Sequence, residues 1–236
     1  MIHIAAQTGS TNADLLERLK MGEAIEEGMW LVADRQSDGR GRQGREWFDG
    51  HGNFMGSTLV RLGPNDPPAH TLSLMVGIAV YDAVVALLPD PSKLTLKWPN
   101  DVLLGGAKLA GILLESEGRT VVIGIGVNLS QAPKLDDRAT ICLADVTVPP
   151  ARDDFAPILA RSLRDELTRW RQFGLEPLLR RWSAAAHPEG TALSIHDGNG
   201  QVVSGKFAGL TDTGSLLLRL ADGETRAIHA GDVVLD

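Results

Sequence analysis

The sequence has a single cysteine, Cys142, among 236 residues. It cannot pair within the chain, so an intramolecular disulfide framework and a cysteine-built zinc cluster are both excluded. Long apolar runs are missing too. The longest, Leu74 to Leu88, is short for a membrane span and is broken by Asp82. Met1 to Gln7 has neither the basic n-region nor the apolar h-region of a secretory signal. Basic residues are in the minority, 23 Lys and Arg against 30 Asp and Glu, and the net charge of −7 gives no general attraction to nucleic acid. The expectation is a cytoplasmic protein with no membrane partner. At 43% hydrophobic residues the chain is not a disordered one, and its length suits one large domain or a medium domain with a small companion.

Hydrophobic periodicity organises what is present. Ser10-Thr11-Asn12 before Leu15, Leu16 and Leu19 predicts a helix start, with Gly22 as its stop. Met29 to Gln36 reads as a strand, and so does Asn53 to Leu62. Pro67-Pro68 opens a helix over Thr71 to Leu88 that is apolar on nearly every side and so belongs against a sheet. Leu94 to Trp98, Val102 to Leu104, Lys108 to Glu117 and Thr120 to Asn128 predict a meander, with turns at Gly105-Gly106 and Glu117-Gly118. Helices follow over Asp153 to Phe173 and Pro177 to Ala186, separated by Gly174.

The expected class is α+β, with a mainly antiparallel sheet packed with helices. His187-Pro188-Glu189-Gly190 marks the expected boundary, giving a unit over 1–186 and a smaller one over 187–236. The smaller unit reads as short strands at 191–196, 202–210, 215–220 and 225–229. Its turns are Asp197 to Gly200, Thr211 to Gly214 and Ala221 to Gly223, a texture that suggests a small closed barrel.

Gly39-Arg40-Gly41-Arg42-Gln43-Gly44-Arg45 is the segment most suggestive of chemistry. It satisfies G-x-G-x-x-G, but the fingerprint must open a helix, and Glu46 to Gly52 is turn-rich. It also has P-loop glycine spacing, but Arg45-Glu46 stands where Lys-Ser/Thr would be needed. What remains is three arginines that repel one another unless an anion is present, on a backbone free to wrap it. Arginine forks suit phosphate oxygens and charge developing in nucleotidyl transfer. The bland alternative is a solvated loop partly neutralised by Asp34, Asp38 and Glu46.

Further along, Lys97-Trp98-Pro99-Asn100-Asp101 places a cation, an amide and a carboxylate after a strand, where lysine suits phosphate and aspartate suits nucleotide-bound magnesium. Gly106 to Leu113 sets Lys108 at the mouth of an apolar strand, and Gly124-Ile125-Gly126-Val127-Asn128-Leu129 ends another with an amide.

In this order and spacing, the five segments resemble the biotin protein ligases, and the resemblance spans essentially the whole chain. It implies a class II synthetase-like catalytic domain followed by an SH3-like barrel. It implies two steps: biotin and ATP, with Mg2+, give biotinyl-5′-AMP, and a lysine of a biotin carboxyl carrier domain then takes the acyl group. By position, Ser10, Thr11, Asn12, Gln36, Gly39, Arg40, Gly41, Arg42, Lys108 and Gly111 would bind biotin, with the strand Leu109 to Leu114 lining an apolar slot. Arg40, Arg42, Arg45, Trp47, Asn100, Asp101, Lys108 and Asn128 would bind ATP or the adenylate. Arg42 and Lys108 would be catalytic and Asp101 would meet the metal. The family's regulatory members carry a DNA-binding domain before the Ser-Thr-Asn segment, where this chain has nine residues, so a ligase without repressor role or DNA partner is expected. A homodimer is compatible with the resemblance.

Two other readings compete. A lipoate or octanoate transferase would share the catalytic fold, but not the repeated Gly-Arg unit or Lys-Trp-Pro-Asn-Asp. A nucleic-acid module could use Arg169-Trp170-Arg171 and Arg180-Arg181-Trp182, yet Arg152 to Trp182 holds seven basic and five acidic residues, close to balance.

Overall fold

The computed structural model describes residues 1–196 and 202–235. A seven-stranded sheet is built from β1 (Ile2–Ala5), β2 (Trp30–Ala33), β3 (Phe54–Arg61), β4 (Leu94–Lys97), β5 (Asp101–Leu104), β6 (Ala107–Glu117) and β7 (Thr120–Val127). Its order is β1-β2-β3-β7-β6-β5-β4, and only the β1–β2 pair is parallel. The four strands of the meander lie where the alternation and glycine turns put them. Gly105, Gly106 and Gly118 take φ of 60°, 83° and 56°, the left-handed values that tight hairpins need. The strand expected over Met29 to Gln36 is shorter, because the chain leaves the sheet after Ala33. β1 was not expected: four residues before a polar stretch carry too little pattern.

Helix α1 (Thr11–Lys20) starts at Ser10, whose hydroxyl accepts the Ala13 N–H at 3.4 Å, with Asp14 in the first turn and Arg18 and Lys20 in the last. α2 (Leu72–Val85) is buried on nearly all sides, as its sequence requires. α3 (Arg152–Phe173) turns Phe155, Leu159, Leu163 and Trp170 inward, and the Trp170 indole donates to Thr71 Oγ1 at 2.9 Å. Gly174 separates it from α4 (Leu175–Ala185), which begins two residues earlier than expected, with Pro177 inside its first turn. The main core lies between the sheet and α2–α4. A smaller cluster of Leu15, Ile25, Met29, Leu59 and Val122 lies on the α1 side. No helix among the described residues is long and apolar enough to cross a membrane.

The smaller sheet contains β8 (Ala192–His196), β9 (Val202–Leu210), β10 (Leu216–Arg219), β11 (Thr225–Ile228) and β12 (Asp232–Leu235), all antiparallel, in the order β11-β10-β9-β8-β12. The turns at Gly214 and Gly223 are found where expected; the turn expected at Asp197 to Gly200 lies outside the described residues. β12 had been missed. β11 and β12 form the two ends of the ladder, with no pairing between them among the described residues. This sheet docks on the larger one through Trp98, whose indole donates to the Gly214 carbonyl at 3.2 Å, and through His70, whose Nε2 lies 2.9 Å from the Thr213 carbonyl.

Candidate functional site

Register explains why a hollow exists. On the α1 face, Gly126 stands between Met55 and Gly111, Gly124 between Ser57 and Leu113, and Val122 between Leu59 and Glu115. Leu59 and Val122 are covered by α1. Beyond them three glycines replace the side chains that would otherwise fill the face. A Cβ at Gly124 would lie 2.5 Å from Asn12 Oδ1, one at Gly111 would lie 2.9 Å from the Trp47 ring, and one at Gly126 would overlap that ring. The resulting cavity measures about 1230 Å³ and draws lining residues from Ser10 to Leu235. A pocket of this size exceeds the usual range for a single small ligand.

At one end lie Ser10, Thr11, Asn12 and Gln36. Gln36 Oε1 accepts the Thr11 N–H at 2.8 Å; Thr11 Oγ1 is 2.7 Å from Ser57 Oγ; Ser57 donates to Asn12 Oδ1 at 2.6 Å; and Asn12 Nδ2 donates to Glu115 at 2.9 Å. All but Glu115 are buried.

Over the middle folds the glycine-arginine segment. Trp47 N–H donates to the Gly39 carbonyl at 2.8 Å and Gly41 N–H to the Arg45 carbonyl at 2.7 Å, closing a small hairpin with a turn over Arg42 to Gly44. Gln43 takes φ 58° at its tip. Of its cations, Arg40 faces Glu115 at 3.7 Å, Arg42 donates to Asn100 Oδ1 at 3.2 Å and faces Asp232 at 3.8 Å, and Arg45 pairs with Asp232. The carboxylates expected to neutralise the loop are otherwise engaged or elsewhere: Asp34 pairs with Arg152, and Asp38 accepts from Ser37 at 2.7 Å. The counter-charges come from distant parts of the chain because strand pairing, not sequence proximity, brings them in.

Beneath the loop, Lys108 meets Asp101 at 2.6 Å and Lys97 meets it at 3.3 Å. Burial opposes ionisation of Asp101, but Lys108 and then Lys97 outweigh it and hold the carboxyl below its ordinary range. Lys108 Nζ also lies 5.8 Å from the centre of the Trp47 ring. The carboxylate expected to meet a metal is thus already matched by two ammonium groups, and no cluster of three acidic, His or Cys side chains occurs among the described residues. This donor set does not fit a resident magnesium ion, which needs oxygen ligands free of competing cations.

The far end is marked by Asn128, after β7. Its Nδ2 reaches the Ile141 carbonyl at 3.2 Å, while its Oδ1 is buried without a partner, as is Trp47 Nε1. Gly124 and Asn128 are four strand residues apart, about 13 Å. One face therefore presents a polar dead end, an indole with two lysines and three arginines around it, and an unfilled amide acceptor. Such a sequence suits a long ligand with a polar head, an anionic middle and a donor-bearing tail.

All the residues expected at the site line this cavity except Gly39, which lies behind it holding Trp47. Of the strand Leu109 to Leu114, Gly111, Ile112 and Leu113 line it, while Leu109 is buried in the main core. Ser57, Glu115, Arg138 and Asp232 had not been expected. Ser57 and Glu115 were faint signals, polar residues inside apolar strands; Asp232, 187 positions from Arg45, left none.

Residues 4–130 match the biotin/lipoate A/B protein ligase family and residues 194–236 the biotin protein ligase C terminal domain. A biotin--[acetyl-CoA-carboxylase] ligase of Mycobacterium tuberculosis is 39% identical, over 99% of this chain and 88% of the relative. One from Paracoccus denitrificans is 36% identical, over 97% and 98%. Among solved structures, a biotin protein ligase from Aquifex aeolicus in complex with biotin and ATP superposes with a TM-score of 0.86, covering 100% of this chain and 98% of the other at 24% identity.

Proposed function

The chain belongs to the biotin protein ligases of the biotin/lipoate A/B protein ligase family, and from that premise we propose how its cavity works. It is an ATP-dependent ligase that activates biotin as biotinyl-5′-AMP and passes the biotinyl group to a lysine of a carboxyl carrier protein. The observation that carries this is a single cavity joining a hydrogen-bonding dead end, Ser10 to Gln36, to a cluster of five cations: Arg40, Arg42, Arg45, Lys97 and Lys108.

The ureido ring enters at the closed end, where Ser10 keeps a hydroxyl proton and Gln36 an amide NH2 for it. Asn12 and Thr11 act indirectly, because their polar atoms are taken by Ser57, Gln36 and Glu115. Gly111 and Gly126 seat the Trp47 ring close against the sheet, so the valeryl chain runs over that ring, with the backbone of Arg40 and Gly41 closing from the loop side. The biotin carboxylate oxygen attacks the α-phosphorus of ATP; the bond to the bridging oxygen breaks and pyrophosphate leaves. Lys108, beside Asp101, faces the charge that grows on the phosphoryl oxygens, and Arg42 and Arg40 close from above. Arg45 and Asn100 hold the outer phosphates, while the Asn128 carbonyl accepts from the adenine side. Any magnesium would arrive with the triphosphate and not sit on Asp101, which serves the two lysines. In the second step the carrier lysine's Nζ attacks the acyl carbonyl, its proton leaves to solvent, and AMP departs. A closed loop over the mixed anhydride excludes water.

The division at 187 puts catalysis in residues 1–186, with 187–236 closing the cavity through Asp232. β1 pairs on one side only, and its open edge suits addition of a strand from the carrier or from a second copy. Mass spectrometry of the protein incubated with biotin, ATP and magnesium tests the reading: bound biotinyl-5′-AMP is expected. Lipoyl-AMP formed from lipoate in its place would keep the fold and move the substrate.

A further inference from the structure

Glu115 takes no part in either step above, yet it stands where two elements of the site meet. It lies on β6 on the cavity face, opposite Val122. One carboxylate oxygen accepts from Asn12 Nδ2 at 2.9 Å, and the other faces Arg40 Nη2 at 3.7 Å. A carboxylate can only accept, which orients the amide beside it. Asn12 must give Nδ2 to Glu115 and so turns Oδ1 to Ser57. The Ser57 proton goes to that oxygen, at 2.6 Å, which leaves Ser57 Oγ, at 2.7 Å, and Gln36 Oε1, at 3.0 Å, as the two acceptors for the single Thr11 hydroxyl proton. Gln36 Oε1 is taken by the Thr11 N–H, and Gln36 turns its NH2 toward the ligand. The Thr11 backbone N–H fixes the Gln36 amide at one end. Without a charge at the other end, Asn12 and Ser57 could run their protons in either direction, and the Thr11 hydroxyl between them would be donor to Ser57 in one arrangement and acceptor in the other.

We propose that Glu115 is a positioning residue for biotin capture: its charge fixes the donor–acceptor direction of Asn12 and Ser57, against which Thr11 and Gln36 are seated, and tethers Arg40, so that one carboxylate braces both the closed end and the base of the loop. This rests on the ligase reading above. A glutamine at 115 has one acceptor oxygen for two donors, so either Asn12 or Arg40 loses its partner, while size and shape stay the same.

The experiment is steady-state formation of biotinyl-5′-AMP by Glu115→Gln and Glu115→Asp, with biotin and ATP varied separately and melting temperatures measured alongside. Glu115→Gln should raise the KM for biotin about tenfold, leave the KM for ATP within about twofold and melt close to the wild type, with Glu115→Asp recovering part of the loss. A biotin KM within about twofold of wild type, or an equal rise in both KM values, overturns the proposal. Ser57→Ala breaks the same chain in its middle with no change of charge. It should give the same selective rise, and it decides the matter if Glu115→Gln does not fold. Wild-type protein that forms no biotinyl-5′-AMP fails the ligase reading itself and the proposal with it; wild-type activity with unaltered variants fails the proposal alone.

Discussion

Asp232, the first residue of β12, pairs with Arg45 in the glycine-arginine loop, 187 positions earlier in the chain. The same carboxylate faces Arg42 at 3.8 Å. The smaller sheet thus holds two of the loop's three arginines, and an incoming phosphate must share or take them. Asp232→Asn should loosen the loop in the free protein. Because the pair is partly exposed, the effect is modest: tryptic cleavage after Arg40, Arg42 or Arg45 should quicken about two- to fivefold. Biotin with ATP should slow cleavage in both proteins; identical rates without ligand would show the pair to be idle.

Arg42 sits between Asn100 and Asp232, facing the middle of the cavity. Its removal leaves the phosphoryl group of the adenylate without a guanidinium above it. Arg42→Gly is expected to release biotinyl-5′-AMP into solution, which filtration and mass spectrometry would detect. Retention equal to the wild type would remove Arg42 from this role.

Lys108 is held by Asp101 at 2.6 Å, so its ammonium is positioned before any ligand arrives. Interactions that strengthen as charge develops act on rate more than on binding. Lys108→Ala should therefore slow adenylate formation by about 100-fold or more, with a smaller change in biotin affinity measured by calorimetry. A loss confined to affinity would make it a binding residue only.

Asp101 separates two ammonium groups, and Asp101→Asn leaves them facing each other. A loss of about 3 kcal/mol at neutral pH is expected. The folded carboxyl titrates below its ordinary 3.8, so its stabilising effect is complete above that value and disappears as pH falls through the lower, folded one. Melting curves of wild type and variant should stay separated from pH 7 down to about 4 and draw together only as pH falls further below that. Curves that already coincide at about pH 5 would contradict this.

Gly126 carries the indole of Trp47 directly on its Cα. Gly126→Ala must push that ring off the sheet, into the volume the ligand needs. The fold should survive, since the methyl points into the cavity, but affinity for the adenylate should fall by about tenfold or more. Titration calorimetry with a non-hydrolysable biotinyl-AMP analogue reads this directly, and unchanged binding would mean that Trp47 swings clear without cost.

The parts of the site readable from sequence are those whose determinants are local. Ser10 to Asn12 announces a helix start because capping needs only neighbouring residues. Lys97 to Asp101 and Lys108 come at ends of strands whose alternation is plain. That Gly111, Gly124 and Gly126 share one face depends on the register of three strands, which no single segment contains. Asp34, Asp38 and Glu46 are the carboxylates closest to the loop in sequence, whereas strand pairing brings Glu115 and folding of the last strand brings Asp232. Gly39 shares a motif with residues that line the cavity, which points to ligand contact, but its carbonyl holds Trp47 instead. β1 and β12 escaped notice as four-residue strands with little alternation to read.

The cavity wall takes residues from Ser10 through to Leu235. A nascent chain is made from its N-terminus, and its early portions fold as they emerge. The dead end, the meander and both lysines are therefore in place while the carboxylate that gathers Arg42 and Arg45 is still to be translated. Until β12 has been added, the loop lacks that carboxylate, so its anchoring waits on a strand made long after the loop itself.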